Sequence, residues 1–160
     1  MLGPPTLILD TGPLWELILY SAVHNLRFRK LESELLYLKT KDSFNKLSEF
    51  IAFSKGRVTT PHVVSEISFR IVRTEEKSKA SLWNLVYDEF RSMGMDEELF
   101  KLLLMPPESV ARIGAVDVSI FQLGANYSFS EAIVLSLDNA LIAECNDAGI
   151  IAKHISEVIT

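Results

Sequence analysis

The chain has 160 residues, which suits one domain, and 48% of them are hydrophobic, which excludes a disordered chain. Its richest apolar stretch, residues 14–23, is interrupted by Glu16 and is too short for a membrane helix of roughly 20 residues. Residues 1–5 carry no basic side chain, so we expect no signal peptide and no membrane association. The single cysteine, Cys145, excludes an intramolecular disulfide and favours a reducing cytoplasm.

The charge is unevenly distributed along the chain. The net charge of −5 argues against a nucleic-acid partner, but residues 1–80 carry 12 Lys and Arg against 9 Asp and Glu. Residues 81–160 carry only 4 against 12. A phosphate-binding surface would therefore use the first half of the chain, although an ordinary solvated surface explains each residue equally well. The candidates are Arg27, Arg29, Lys30, Lys55, Arg57, Arg70, Arg73, Lys77 and Lys79.

The first half of the chain alternates between strand and helix patterns. Residues 6–10 are a short apolar run ending in Asp10, typical of a strand buried on both faces of a parallel sheet. Pro13 suits the first turn of the helix that follows. Helical spacing of apolar residues then predicts a long helix over residues 31–54, which the stretch 39–43 would divide in two in an alternative interpretation.

The pattern continues with a second strand at residues 57–60 and a helix that begins at Pro61. Residues 74–109 are interpreted as a helical insertion, with helices over 82–90 and 96–104. Further helices are predicted at 114–127 and 139–147, a strand at 132–138 and a last strand at 150–155. Strands that alternate with helices predict an α/β fold with a mostly parallel sheet, and no linker divides residues 1–160 into two domains.

Four acidic residues belong to four separate elements of this pattern. Asp10 and Asp138 each end a predicted strand, Glu66 lies about one turn into a helix, and Asp117 lies in the first turn of another. Ligands of parallel sheets bind beyond the carboxyl ends of the strands, so we expect the four carboxylates to meet in one cleft. Carboxylates that crowd together repel one another unless a cation is bound, and oxygen ligands favour Mg²⁺ or Mn²⁺. Such a centre activates water for phosphodiester cleavage.

Three further residues are candidates for supporting roles in this cleft. The hydroxyls of Thr11 and Ser136 flank the strand-end aspartates and are placed to orient them or to bind metal-bound water. Arg70 follows Glu66 by one helical turn, so it is placed to steady a carboxylate or to reach a phosphate.

Each acidic residue also has a purely structural interpretation. Asp138 is a helix cap, Asp10 a turn former before Gly12, and Glu66 with Arg70 an ordinary i,i+4 helix pair. Asp117 is the hardest to explain in this way, because an unpaired charge in an apolar stretch is costly to bury. The joint pattern favours a shared site.

Four segments also resemble the PIN-domain family, and most closely its small prokaryotic VapC-type toxin ribonucleases. They are LILDTGPL at 7–14, VVSEI at 63–67, AVDVSIFQLGA at 115–125 and VLSLD at 134–138. The resemblance implies a single PIN-like domain, a three-layer α/β/α sandwich with four or five strands. It also implies a Mg²⁺- or Mn²⁺-dependent endoribonuclease, often homodimeric and sometimes held inactive by a small antitoxin protein.

Other functions have less support. The triplet Asp10-Thr11-Gly12 also occurs in aspartic proteases, but those need a second such carboxylate and an all-β fold. No glycine-rich phosphate loop is present, and the three histidines lack metal-ligand spacing. The main alternative is a PIN-like module that binds RNA or protein with little or no catalytic turnover.

Overall fold

The computed structural model describes residues 3–97, 111–127 and 131–160. Its strands are β1 (Thr6–Leu9), β2 (Gly56–Thr59), β3 (Met95–Glu97), β4 (Ala132–Ser136) and β5 (Ala152–His154). Its α-helices are α1 (Thr11–His24), α2 (Lys41–Phe53), α3 (Pro61–Val72), α4 (Glu76–Met93), α5 (Ala115–Ala125), α6 (Asn139–Asp147) and α7 (Ser156–Ile159). A 3-10 helix spans Arg29–Glu34.

The five strands form one parallel sheet in the order β3-β2-β1-β4-β5. Strand β1 lies in the centre, and all four of its residues are buried because helices cover both faces of the sheet. Helices α1, α3 and α4 contact one another, and α5 contacts α6. The architecture is the predicted α/β sandwich, with five strands that are all parallel. Among the described residues, no helix combines the length and apolar character needed to cross a membrane.

The single helix predicted over residues 31–54 is wrong, and the alternative with a break is closer to the structure. The chain forms the short 3-10 helix, then an extended segment, and α2 starts only after Thr40, whose side chain accepts a hydrogen bond from the Ser43 amide. The extended segment is stabilised because Leu35 and Leu38 are buried and because the Glu16 carboxylate accepts hydrogen bonds from the amides of residues 36–38.

The interpretation of residues 74–109 as a helical insertion also needs correction. Helix α4 covers the first predicted helix, but Asp96 lies in strand β3, where the second was expected to begin. Gly94 ends α4 in the left-handed conformation, at φ 58°, which turns the chain back to pair with β2. The described part of this segment therefore completes the sheet. The rest of the predicted helix 96–104 lies outside the described residues.

Candidate functional site

A cleft opens at the carboxyl edge of the sheet, between strands β1 and β4. The chain passes from β1 to β2 on one side and later returns to β4 on the other, so the direction of strand order reverses here. Ligands of open parallel sheets bind at this kind of crevice. The cleft has a volume of about 720 Å³, and its lining includes Asp10, Glu66, Asp117 and Asp138. The structure thus brings the four predicted acidic residues to one place, which we call the acid cleft.

Asp10 is held at the centre of this cleft by its two neighbours. It is the N-cap of α1 and is only 6% exposed. Its Oδ1 accepts a hydrogen bond from the Thr11 amide at 2.6 Å, and its Oδ2 accepts one from the Ser136 hydroxyl at 2.6 Å. Ser136 is the last residue of β4, so this hydrogen bond joins the ends of the two central strands. Burial raises the pKa of Asp10, these hydrogen bonds oppose the rise, and the charges of Glu66 and Asp138 add to it.

Glu66 reaches the cleft from α3 and is fixed from two sides. The Thr11 hydroxyl donates to its Oε2 at 2.9 Å, and the Arg70 guanidinium donates to its Oε1 at 2.8 Å. Glu66 therefore forms the predicted i,i+4 pair with Arg70 and also lines the acid cleft. The Ser136 hydroxyl orients the strand-end Asp10, as expected. The Thr11 hydroxyl was expected to act on a strand-end aspartate but binds Glu66, and only the Thr11 amide binds Asp10.

Asp138 is also both a helix cap and a residue of the cleft. Its Oδ1 accepts hydrogen bonds from the amides of Ala140 and Leu141, at 2.7 and 3.1 Å, and so caps α6. Its own amide donates to the Ser136 hydroxyl at 2.9 Å. The Oδ2 atom of Asp138 accepts no hydrogen bond from any described residue, so capping occupies only one of the two oxygens.

Asp117 enters from the first turn of α5. Gly114, at φ 88°, lets the chain turn into this helix, and a buried hydrogen bond of 2.8 Å between the Thr60 and Ser119 hydroxyls fixes the helix against the start of α3. Burial, followed by the charges of Asp10, Asp138 and Glu66, raises the pKa of Asp117 to about 7. No donor among the described residues offers its carboxylate a hydrogen bond.

Gly12 allows α1 to approach the end of β4 closely. A Cβ atom at this position would lie 2.7 Å from Cγ and 3.0 Å from Cβ of Leu137, closer than real carbon atoms pack. Leu137 separates Ser136 from Asp138. The absence of a side chain at Gly12 therefore lets α1 lie directly against the residue that precedes Asp138.

The donor set of the cleft fits a hard divalent cation in its chemistry. All four acidic side chains offer oxygen, and their mutual repulsion is the kind that bound Mg²⁺ or Mn²⁺ relieves. Their arrangement is less complete. Among the described residues, no three or more Asp, Glu, His or Cys side chains stand close enough together to hold a metal ion. All four carboxylate oxygens of Asp10 and Glu66 accept hydrogen bonds from protein donors, whereas Asp117 and one oxygen of Asp138 accept none from the described residues.

One buried acidic residue of the cleft lining was not recognised as important in the sequence. Glu16 is 2% exposed, and its carboxylate accepts hydrogen bonds of 2.8 to 3.0 Å from three consecutive backbone amides, those of residues 36–38. It therefore holds the extended segment that begins at Leu35. The signal was a lone charge within the apolar run of α1, which is costly unless it is fully hydrogen-bonded.

A second concavity adjoins the acid cleft, and we call it the basic groove. It has a volume of about 1160 Å³, and Trp15, Glu34, Glu66 and Arg70 line both it and the acid cleft. The sequence indicated nine cationic residues for contact with phosphate, and six of them line this groove. These are Arg27, Arg29, Lys30, Arg70, Arg73 and Lys77. The other three, Lys55, Arg57 and Lys79, are not among its lining residues.

Cys145 is fully buried in α6, and burial raises the pKa of its thiol to about 12, in keeping with an inert side chain.

Comparison with known proteins adds no family assignment: no protein-family model matches the chain, and no curated protein matches it. A function must therefore be inferred from the cleft itself.

Proposed function

We propose that the protein is a Mg²⁺- or Mn²⁺-dependent endoribonuclease of the PIN type, in which Asp10, Glu66, Asp117 and Asp138 hold the metal. One observation carries the proposal. Four carboxylates from four elements share one cleft at the switch point of the sheet, and the charges of the other three contribute to raising the pKa of Asp117 to about 7. Such repulsion reduces stability unless a cation offsets it, which points to a functional reason for keeping the charges together.

The residues of the cleft have separate tasks in this proposal. Asp117 and the free oxygen of Asp138 are the accessible ligands, while Ser136 and Thr11 keep Asp10 and Glu66 aimed at the cleft. When bound, the divalent ion would activate a water molecule and neutralise charge developing on the scissile phosphodiester. Arg70, which lies on the border with the basic groove, is placed to contact a phosphate next to the one that is cleaved.

A second function has an observation in its favour. Among the described residues, no group of three or more Asp, Glu, His or Cys side chains is arranged to hold a metal ion. That arrangement suits a PIN-like module that binds RNA or protein without turnover. A binding module does not require the four carboxylates to lie close together, but a binding role does not explain why mutually repelling charges share one cleft.

Further parts of the proposal concern partners and location. The resemblance to VapC-type ribonucleases is the basis for proposing a homodimer, a small antitoxin protein that holds the enzyme inactive, and a role as the toxin of a toxin–antitoxin pair. The single cysteine, which is buried and free, supports a cytoplasmic location as part of the proposal. Co-expression with a small protein encoded next to this chain, followed by purification of the complex, tests the antitoxin.

Cleavage of labelled single-stranded RNA with Mg²⁺, Mn²⁺ or EDTA tests the nuclease activity. Asp10→Asn, Asp117→Asn and Asp138→Asn are the informative variants, because asparagine still caps a helix and so retains the capping role of Asp10 and Asp138. We expect cleavage by the wild type with metal only, and a loss of roughly 100-fold or more in each variant, as when a main electrostatic element of an active site is removed.

Two results would contradict the nuclease. Equal cleavage by the wild type and the three variants would identify a contaminating enzyme. RNA binding without cleavage in either metal would favour the binding module. Asp147→Asn serves as the matched control, because Asp147 is exposed at the opposite end of α6 from Asp138.

A further inference from the structure

The basic groove has the composition of a surface that binds a polyanion. Six cationic side chains line it against three carboxylates, those of Glu34, Glu66 and Glu75. Two of these acidic residues are already paired within the groove: Glu66 with Arg70 at 2.8 Å, and Glu75 with Lys30 at 2.5 Å. The groove therefore keeps a positive surplus directly beside the negative acid cleft, although the whole chain is acidic.

Aromatic side chains accompany these cations. Phe69 on α3 is 56% exposed, and the Arg73 guanidinium lies over its ring, with Cζ 4.4 Å from the ring centroid. The Arg70 guanidinium lies 5.9 Å from the ring centroid of Trp15, which also lines the groove but is only 5% exposed, so Phe69 is the ring open to a ligand. Exposed aromatic rings beside guanidinium groups are the usual platform on which bases of single-stranded nucleic acids stack.

One of the groove cations, Arg27, has an uncommon backbone conformation. Arg27 has φ 59°, and it is the one residue other than glycine with positive φ in the described part of the chain. It follows the end of α1 and precedes the 3-10 helix, so this turn directs Arg27, Phe28 and Arg29 to the groove wall. The turn also ends α1, since the Phe28 amide donates to the Ala22 carbonyl at 3.0 Å, so one conformation both closes the helix and places Arg27 at the groove.

We propose that the basic groove binds a single-stranded segment of RNA and leads it to the acid cleft, with a base stacked on Phe69 and phosphates on Arg27, Arg29 and Arg73. The inference rests on the proposed ribonuclease, whose substrate it defines as an unpaired strand. A duplex offers phosphates but no accessible base face, so it would use the charges and not the aromatic ring. The shared lining residues make one continuous path from the groove to the cleft.

Binding is tested apart from cleavage, with the full chain in EDTA and a fluorescein-labelled, unstructured RNA of about twelve nucleotides, near the usual size of a single-strand site. Phe69→Ala should weaken binding by about fivefold or more, the loss expected for one stacked base. Arg29→Ala and Arg73→Ala should also weaken it, and each should lower the slope of log K against log salt concentration by about 0.7, the value for one phosphate of a single strand.

The chain offers matched controls outside the groove. Phe53 is even more exposed than Phe69, at 72%, and Lys55 carries an equivalent charge, and neither lines the groove. Phe53→Ala and Lys55→Ala should bind RNA as the wild type does. Arg27→Gly removes the strained residue together with its charge, so it should weaken binding without lowering Tm. A fall in Tm would show that Arg27 has a structural role.

Failure of this inference is distinguishable from failure of the nuclease. The inference would be overturned if the groove variants bound RNA as tightly as the wild type, even if the protein cleaves RNA. It would also be overturned if the wild type bound no RNA, or bound a duplex of the same length more tightly than the single strand. Weakened binding in the groove variants would support it even if no metal produces cleavage. Where cleavage occurs, these variants should raise KM and leave kcat nearly unchanged.

Discussion

The acid cleft and the basic groove lie side by side and are built in opposite ways. In the cleft, like charges are brought together and held by hydrogen bonds from buried hydroxyls and amides, at a cost shown by the raised pKa of Asp117. In the groove, opposite charges pair at the surface, where solvent weakens each interaction. The comparison teaches that precise positioning is concentrated where chemistry is proposed, while the groove depends on the sum of many weak contacts.

The largest change in stability is expected at Glu16, which lines the acid cleft and whose two carboxylate oxygens both accept hydrogen bonds. We expect Glu16→Gln to reduce the free energy of unfolding by about 3 kcal/mol, because the amide replaces a charged acceptor of three backbone amides. Urea denaturation measures this. Glu34→Gln is the control, since Glu34 is exposed, and it should change stability by less than about 0.5 kcal/mol. A stabilised Glu16→Gln protein would place Glu16 among the mutually repelling acidic residues instead.

Gly12 tests whether the close approach of α1 to β4 matters to the cleft. Gly12→Ala introduces a methyl group against Leu137, and overpacking of this kind costs about 1–3 kcal/mol. We also expect the cleavage rate to fall, because a displaced Leu137 moves Asp138 away from Asp10. Gly56→Ala is the control, since a Cβ there meets only Thr6 at 3.8 Å. Thermal unfolding and the RNA cleavage assay measure the two effects, and a Gly12→Ala protein that resembles the control in both would contradict this role.

Much of the fold was predictable because it depends on local patterns. Continuous apolar runs identified β1 and β4, and Pro61 and Gly149 marked a helix start and a helix end. Strand β3 has no strand signal in the sequence, because two of its three residues are acidic and it is defined by its pairing with β2. The break before α2 depends on Glu16, about twenty residues earlier in the chain, and such contacts leave no periodic signal.

The candidate site was predictable in its members and less so in its geometry. The strand-end positions of Asp10 and Asp138 follow from the parallel sheet, so their proximity could be inferred from the sequence. The hydrogen bond from Thr11 to Glu66 joins residues 55 positions apart and requires the folded chain. The sequence indicates the basic groove only as a list of cations, since its walls combine Trp15 of α1, the turn after α1, the 3-10 helix, α3 and α4.

Asp117→Asn tests the cost of keeping charges together in the cleft. Its pKa of about 7 exceeds the usual 3.8, so the folded state holds a proton that the unfolded state releases between about pH 4 and pH 7. Stability of the wild type in EDTA should therefore fall as pH rises through this range and level off above it. Asp117→Asn should lack much of this decline and be more stable at about pH 8 by about 1–2 kcal/mol, a figure reduced for the partial exposure of the carboxylate.

Chemical denaturation at several pH values measures this effect. Asp147→Asn, exposed at the end of α6, should follow the wild type across the whole range. Added Mn²⁺ should stabilise the wild type at about pH 8 and stabilise Asp117→Asn much less, because a ligand that binds only the folded state raises its stability. A pH profile of Asp117→Asn that matches the wild type would remove the evidence for repulsion in the cleft.

The smallest expected effect concerns Glu75, an exposed carboxylate that pairs with both Lys30 and Lys77 in the basic groove. If the groove works by its summed charge, Glu75→Gln releases two cations for phosphate contact and should tighten binding of single-stranded RNA by about two- to threefold at low salt. Its Tm should stay that of the wild type, because exposed ion pairs contribute little to folding. Glu157→Gln removes an equal charge outside the groove and should leave RNA affinity unchanged. Equal RNA affinities of the two variants would show that the charge of the groove does not determine RNA binding. Tighter RNA binding by Glu75→Gln alone would show that the charge of the groove can be changed without disturbing the rigid acid cleft beside it.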